Sequence, residues 1–150
     1  MHFHSPAGSG EANRAFGLTR RFRVTAEQTG GVFALFEEEI PERAGPPLHV
    51  HKAEHETFLV TEGAVRFRVD GAEDLIAEVG DVVVIAPGTP HTFQGAAPGT
   101  SRALVQLTPG AAAGLFAAVE SEGLNPAHDM ARIAEIAAAH NLEFVGPPIG

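Results

Sequence analysis

The sequence has 150 residues and a formal net charge of -9, and it contains no cysteine, tyrosine or tryptophan. A chain of this length can bury the core of one domain without disulfides, and its acidic balance argues against a nucleic-acid partner, since phosphate binding needs clustered Lys and Arg. The missing residue types exclude thiolate ligands and a Cys or Tyr catalyst, so acid–base chemistry falls to Asp, Glu or His.

Residues 1–18 are small, polar and Gly-rich, and we expect them to form a flexible N-terminal arm with His2 and His4 in solvent. This segment has no apolar leader region, and no run of about 20 apolar residues follows it. The sequence therefore predicts a soluble, cytoplasmic protein without a membrane partner.

Short runs of alternating apolar and polar residues follow, separated by turns that contain Gly and Pro. We interpret Arg20, Arg21 and Arg23 as the solvent face of the first strand, and residues 37–39, all Glu, as a solvated strand end. Such a series predicts an all-β sandwich or barrel. The predicted strands are 20–25, 32–40, 49–51, 56–60, 65–69, 75–79, 82–86, 91–93 and 102–107.

The period changes after Pro109. The Ala-rich residues 111–122 predict one helix, and an Asn-Pro pair predicts the start of a second helix, residues 126–140, that ends before a left-handed Asn141. We expect His128 and His140 on the surface. The domain prediction is an arm (1–18), a β-barrel (19–109) and a helical extension packed on the barrel (110–150).

Two short stretches carry the residue types of a metal site. His49 and His51 lie on the same face of one predicted strand, because side chains alternate along a strand. Glu56 begins the next run, and His91 follows a Pro-Gly-Thr-Pro turn. Three histidines and one glutamate suit a divalent transition metal better than calcium or magnesium.

Neighbouring residues could also serve as metal ligands or line a substrate pocket. Glu54 and His55 compete for the carboxylate and imidazole positions, but His55 falls on the strand face opposite Glu56 and is expected to point outward. An apolar pocket is expected beside the site, although ordinary core is an equal alternative for each candidate. The candidate substrate-binding residues are Phe58, Val60, Phe67, Phe93 and Leu104.

The two motifs together resemble those of the cupin superfamily. Residues 49–63 match the first motif, which is H-x-H, four residues, Glu, six residues and Gly, and residues 80–91 match the second, which runs from Gly through Pro-x-Gly to His. The departures leave every ligand in place: Gly45 lies closer to the first His than is usual, Ala86 replaces a proline, and Gly95 replaces a common Asn.

This resemblance implies an all-β double-stranded β-helix, the cupin jelly-roll barrel, followed by two C-terminal α-helices. It implies one divalent metal ion, whether nickel, cobalt, iron, manganese, copper or zinc, bound by His49, His51, Glu56 and His91. Residues 134–148 resemble the tail of single-domain bacterial cupins grouped with quercetin 2,3-dioxygenases. That grouping implies oxidative cleavage of a flavonol or similar enolisable aromatic substrate by dioxygen, with Glu56 as the base.

Two other classes of function stay open from the sequence. One is a redox-neutral, metal-dependent enzyme such as a polyketide cyclase or an isomerase, and the other is a small-molecule-binding protein without turnover. The resemblance and the exposed strand edges also lead us to expect a homodimer.

Overall fold

The computed structural model describes residues 2–150. Its two α-helices are α1 (Gly114–Ser121) and α2 (Met130–Ala139). Its strands are β1 (Ala12–Ala15), β2 (Leu18–Val24), β3 (Ala34–Pro41), β4 (His49–His51), β5 (His55–Glu62), β6 (Ala64–Val69), β7 (Leu75–Glu78), β8 (Val82–Ile85), β9 (His91–Gly95), β10 (Thr100–Thr108) and β11 (Leu142–Phe144).

The strands form two antiparallel sheets that face each other. One sheet has six strands in the order β1-β2-β3-β10-β5-β8, and the other has five in the order β11-β4-β9-β6-β7. Phe58 of the first sheet contacts Phe67 and Phe93 of the second, with ring centroids 4.9 Å and 5.2 Å apart. The core therefore lies between the sheets, and the predicted all-β fold with two C-terminal helices is confirmed.

Alternation along each strand explains which residues form this core. In β10, Ala103, Val105 and Leu107 are buried while the residues between them are half-buried or exposed. In β3 the same alternation buries Phe36 and Glu38. An inward-facing row of side chains from each sheet thus fills the interior, which is the usual outcome for a sheet with one buried face.

The two helices cover one end of the sheets. They share a second apolar cluster with β1 and β11, whose buried members are Ala15, Phe16, Leu115, Val119, Ile133, Ile136, Ala137 and Leu142. Strand β11 pairs with β4, so the chain returns from α2 directly to the strand that carries His49 and His51. Within residues 2–150, no helix combines the length and apolarity that crossing a membrane requires.

The second helix begins four residues later than predicted. Asn125 opens a turn instead of the helix, because its side-chain oxygen accepts a hydrogen bond from the amide of Ala127. Asp129 stands at the N-cap and Met130 is the first helical residue. The predicted left-handed residue after the helix is confirmed, since Asn141 has φ 58°.

Two other features differ from the sequence interpretation. Strand β1 lies within residues 1–18, which were expected to form a flexible arm, and it pairs with β2. The solvent-facing interpretation of Arg20 and Glu38 is wrong, because the two side chains are 1% and 3% exposed and form an ion pair inside the sheets. The division of the chain at residues 18 and 109 stays a prediction.

Candidate metal centre

The candidate metal centre joins the two sheets. His49 and His51 share the inner face of β4, and His49 is the register partner of His91 on the neighbouring strand β9. Glu56 comes from β5 of the opposite sheet. One ligand atom from each of these four buried residues lies within 4.8 Å of all the others. The fold therefore brings together all four predicted ligands.

Two of the imidazoles are held by the backbone. The Nδ1–H of His49 donates to the carbonyl of Pro47 at 2.8 Å, and that of His91 donates to the carbonyl of Thr89 at 2.9 Å. Because a neutral imidazole has one N–H, these contacts leave the lone pair on Nε2. In both residues Nε2 is then the atom available to a metal.

Glu56 faces two of these rings. Its Oε1 lies 3.0 Å from Nε2 of His91, and its Oε2 lies 3.5 Å from Nε2 of His51. Burial by itself would raise the pKa of Glu56, but the imidazoles of His51 and His91 outweigh burial and hold this pKa well below its usual value. The group in the centre is therefore a carboxylate that accepts and does not donate.

The donor atoms fit a cation. Both ring nitrogens of His91 face oxygen acceptors, the carbonyl of Thr89 and the carboxylate of Glu56, yet a neutral ring can satisfy only one of them. A second proton or a metal ion must lie between Nε2 and the carboxylate. Burial and the neighbouring rings of His91 and His51 lower the pKa of His49 to about 3, so His49 stays in the neutral, ligating form. Three imidazole nitrogens and one carboxylate suit a divalent transition metal.

The two competing residues occupy different places. His55 is exposed, as predicted. Glu54 is buried behind His51: its Oε2 accepts a hydrogen bond from the amide of Ala112 at 3.0 Å, and its Oε1 lies 4.0 Å from Nδ1 of His51. Among the described residues, neither that Oε1 nor that Nδ1 has a hydrogen-bond partner. Glu54 therefore borders the site from the rear and is the carboxylate nearest the free nitrogen of His51.

A narrow cavity of about 20 Å³ borders the centre, which is room for about one water molecule. His49, His51 and Glu56 form one wall. Its other sides are largely apolar and are formed by residues from both ends of the chain. These residues are Phe16, Leu18, Arg20, Phe36, Glu38, Pro46, Phe93, Leu115, Phe116, Leu142 and Phe144.

Of the predicted pocket residues, Phe93 alone lines this cavity. Phe58, Val60 and Phe67 are at most 1% exposed and belong to the core between the sheets. Leu104 lies on the other face of β10, between the buried Ala103 and Val105. We use the term apolar cover for the apolar residues that line the cavity from the N-terminal and C-terminal segments, namely Phe16, Leu115, Phe116, Leu142 and Phe144.

Comparison with known proteins agrees with this fold. The crystal structure of KdgF from Halomonas sp. superimposes with a TM-score of 0.57 over 66% of this chain and 87% of KdgF, at 18% identity. The polyketide cyclase RemF from Streptomyces resistomycificus gives a TM-score of 0.62 over 72% of this chain and 80% of RemF, at 26% identity.

Sequence comparison adds two findings. The chain is 44% identical over 48 residues to quercetin 2,3-dioxygenase of Bacillus subtilis (strain 168), a match that spans 32% of this chain and 14% of that protein. A family model described as "Cupin domain" matches residues 36–111, a segment that contains all four residues of the candidate metal centre and makes up half of the chain. The chain belongs to the cupin domain family.

Proposed function

We propose that this protein is a metal-dependent dioxygenase that cleaves a flavonol or a similar enolisable aromatic compound, with Glu56 as the base. One observation carries the proposal. The Glu56 carboxylate lies between His51 and His91 and forms part of the wall of a largely apolar cavity. The partial likeness to quercetin 2,3-dioxygenase of Bacillus subtilis supports the choice of substrate class.

A divalent transition metal held by His49, His51, Glu56 and His91 would supply a Lewis acid that lowers the pKa of a substrate hydroxyl. Glu56 accepts the proton of that hydroxyl on a carboxylate oxygen. The carbonyls of Pro47 and Thr89 keep two imidazoles oriented while this proton moves. The aromatic walls exclude water, so the resulting anionic ring persists until it reacts with dioxygen, opens and loses carbon monoxide.

Access to this site requires movement. Small-molecule pockets usually have about 300–1,000 Å³, far more than the cavity beside the metal centre. The residues of the apolar cover lie outside the stretch of sequence that carries the proposed metal ligands. Phe16 precedes this stretch, and Phe116 and Phe144 follow it. We infer that substrate enters when the apolar cover shifts away from the sheets and that product leaves by the same route.

Oxygen uptake tests this function directly. Protein loaded separately with iron, manganese, cobalt, nickel or copper would be given quercetin or 3-hydroxyflavone while dissolved oxygen and carbon monoxide are measured. We expect uptake and carbon monoxide release with at least one metal, and loss of both in Glu56→Gln, whose metal content is measured in parallel. No uptake by wild-type protein of verified metal content would refute the dioxygenase proposal.

A redox-neutral cyclase is the second candidate. Here the supporting observation is the likeness to RemF, a polyketide cyclase with 26% identity over 72% of this chain. The same metal and carboxylate could then promote enolisation and ring closure without dioxygen. Conversion of a linear poly-β-ketone probe under anaerobic conditions, with a product of equal mass or one that has lost only water, would favour the cyclase over the dioxygenase.

A further inference from the structure

A buried ion pair lies in the same cavity as the candidate metal centre. Arg20 of β2 and Glu38 of β3 are register partners on adjacent strands, and Nε of Arg20 donates to Oε2 of Glu38 at 2.8 Å. Both side chains line the cavity whose other wall contains His49, His51 and Glu56. The cavity therefore has a second polar group besides the metal centre.

Stability alone does not account for this pair. Arg20 lies on the inner face of β2 beside Leu18, and Glu38 lies on the inner face of β3 beside Phe36, where apolar side chains would ordinarily pack. Replacing a buried ion pair by apolar residues of similar volume is often neutral or stabilising, because two charges no longer have to be desolvated. A role in ligand recognition gives a reason for keeping both charges.

The hydrogen bonds of the pair are incomplete. Nη1 of Arg20 donates to the side-chain oxygen of Asn13 at 3.0 Å, and the guanidinium stacks on Phe116 with its Cζ 3.8 Å from the ring centroid. Asn13 in turn donates to the carbonyl of Phe116 at 2.9 Å. Within residues 2–150, neither Nη2 of Arg20 nor Oε1 of Glu38 forms a hydrogen bond. A donor and an acceptor thus remain unused within one ion pair.

The chemistry of the unused atoms defines what binds there. The two charges cancel, so the pair favours a neutral group over a free carboxylate or phosphate. A hydroxyl matches both atoms, since it can accept from the guanidinium and donate to the carboxylate. The aromatic walls around the pair suit a ring that carries this hydroxyl.

We propose that Arg20 and Glu38 form a hydroxyl-binding subsite, which selects aromatic substrates that carry a further ring hydroxyl besides the oxygen atoms placed at the metal centre. The inference rests on the proposed function only in that an aromatic compound of the flavonol class enters this cavity when the apolar cover shifts. Arg20 and Glu38 are then specificity-determining residues, and the reaction itself stays with Glu56 and the metal.

Binding to zinc-loaded protein tests the subsite without turnover. Fluorescence titration would give Kd for 3-hydroxyflavone and for its 3,7- and 3,4′-dihydroxy analogues. We expect at least one dihydroxy compound to bind about tenfold more tightly or better, the value of one or two hydrogen bonds to charged groups. In Arg20→Met/Glu38→Leu this advantage should disappear, so that the dihydroxy compounds bind no more tightly than 3-hydroxyflavone.

A matched control lies on the outer face of the same sheet, across β3 and β10. Glu39 is the neighbour of Glu38 in β3, but its side chain points outward and pairs with Arg102 at 3.0 Å. Arg102→Met/Glu39→Leu makes the same changes of residue type and should keep the full preference for the dihydroxy compound. If the apolar double variant does not fold, Glu38→Gln replaces it. The amide retains an acceptor for Arg20 and presents N–H to the ligand, so the preference for the hydroxyl over the corresponding methoxy compound should disappear.

The outcomes separate the subsite from the proposed reaction. The subsite would be overturned by equal Kd values for all three compounds or by failure of all of them to bind. It would also be overturned by a hydroxyl preference that survives in Arg20→Met/Glu38→Leu, or in Glu38→Gln where that variant replaces it. Selective binding without oxygen uptake would keep the subsite and reject the dioxygenase. Oxygen uptake without selective binding would keep the dioxygenase and reject the subsite.

Discussion

Nε2 of His91 lies 3.0 Å from Oε1 of Glu56, although the other nitrogen of the same ring already donates to the carbonyl of Thr89. The contact brings together two groups that both accept hydrogen bonds when the imidazole is neutral. A cation bound between the two atoms removes the repulsion between these acceptors. His49 and His51 would bind the same cation. Metal affinity should therefore depend steeply on each of these residues.

Replacing one ligand should strongly weaken metal binding. We expect His91→Ala to lower affinity for zinc or nickel by more than about 100-fold, since changes even to groups behind the ligands commonly cost about 10- to 100-fold. Competition with a chromophoric chelator measures this. His55→Gln is the matched control, because His55 is exposed on the opposite strand face and should leave the affinity unchanged. Equal loss in both variants would contradict the predicted ligand set.

Glu54 should affect the metal through His51. Its Oε1 lies 4.0 Å from the free Nδ1 of His51, and its other oxygen is held by the amide of Ala112. We expect Glu54→Gln to reduce metal affinity by about tenfold, less than a ligand substitution, because it weakens the orientation of His51 only. Chelator competition is again the measurement, with the exposed Glu62→Gln as control. A loss as large as that of His91→Ala would instead identify Glu54 as a ligand.

The stability of the metal-free protein should fall in mild acid. The folded-state pKa of His49 is about 3 against an ordinary value of 6.5, so below pH 6.5 the unfolded chain binds a proton that the folded chain does not. This contribution is fully present near pH 7 and declines as the pH falls. Between pH 7 and 5 it amounts to a loss of ~2 kcal/mol in the free energy of unfolding.

Urea unfolding of chelator-treated protein at pH 5, 6 and 7 measures that loss. The variant His49→Gln lacks the titrating group and should lose ~2 kcal/mol less than wild type across this range. His51 works in the opposite direction, because Glu56 raises its pKa against the lowering effect of burial, and it is present in both proteins. Identical pH dependence of the two proteins would rule out the buried neutral state of His49.

The apolar cover should limit the rate at which ligands enter. Phe144 is half-buried and its ring lies 5.6 Å from that of Phe16 and 6.3 Å from that of His49, between centroids. We expect Phe144→Ala to increase the association rate of 3-hydroxyflavone with zinc-loaded protein several-fold in stopped-flow fluorescence. The free energy of unfolding should fall by ~1–2 kcal/mol, less than for a fully buried ring.

A core phenylalanine serves as the control for the cover. Phe58 is fully buried between the sheets and does not line the cavity. Phe58→Ala should cost ~3–5 kcal/mol of stability and leave the association rate unchanged. If both variants accelerate association equally, general loosening of the fold would explain the effect and the cover would have no specific role.

The predicted homodimer should use the edge strand β8. This strand ends the six-stranded sheet and carries no charged residue, and Val82 and Val84 are each 58% exposed. Pairing of β8 with β8 of a second copy would satisfy its free backbone groups and cover both valines. Light scattering after gel filtration should give the mass of a dimer, shifted toward the monomer by Val84→Lys. Val32→Lys, at a similarly exposed valine outside β8, should have no effect, and a monomeric wild-type protein would contradict the prediction.

The residues brought together at the metal centre could be predicted because each has a local signal. His49 and His51 are two residues apart on a strand, and Glu56 and His91 stand beside recognisable turns. The spacing then matches that of a known superfamily. The walls of the cavity have no such signal, since Phe16 and Phe144 are apolar residues in segments without clear periodicity and meet only through the fold.

The buried ion pair could not be predicted for a different reason. Arg20 lies among arginines and Glu38 among glutamates, a pattern that ordinarily indicates solvent. Each charge can be buried only because the other is opposite it across two strands, and this register is not visible in either segment alone. The prediction that Leu104 faces the pocket is wrong because side chains alternate along β10. Leu104 is one residue out of step with the buried positions of this strand.

Strand β11 pairs with β4, placing Leu142 opposite His51 and Phe144 opposite His49, although the family match ends at residue 111. The four residues of the candidate metal centre and much of the wall facing them therefore lie in different parts of the polypeptide. Substitutions confined to residues 112–150 alter that wall while His49, His51, Glu56 and His91 all stay in place. The position of β11 makes the fold a scaffold in which the wall of the cavity can diverge between relatives without a change in these four residues.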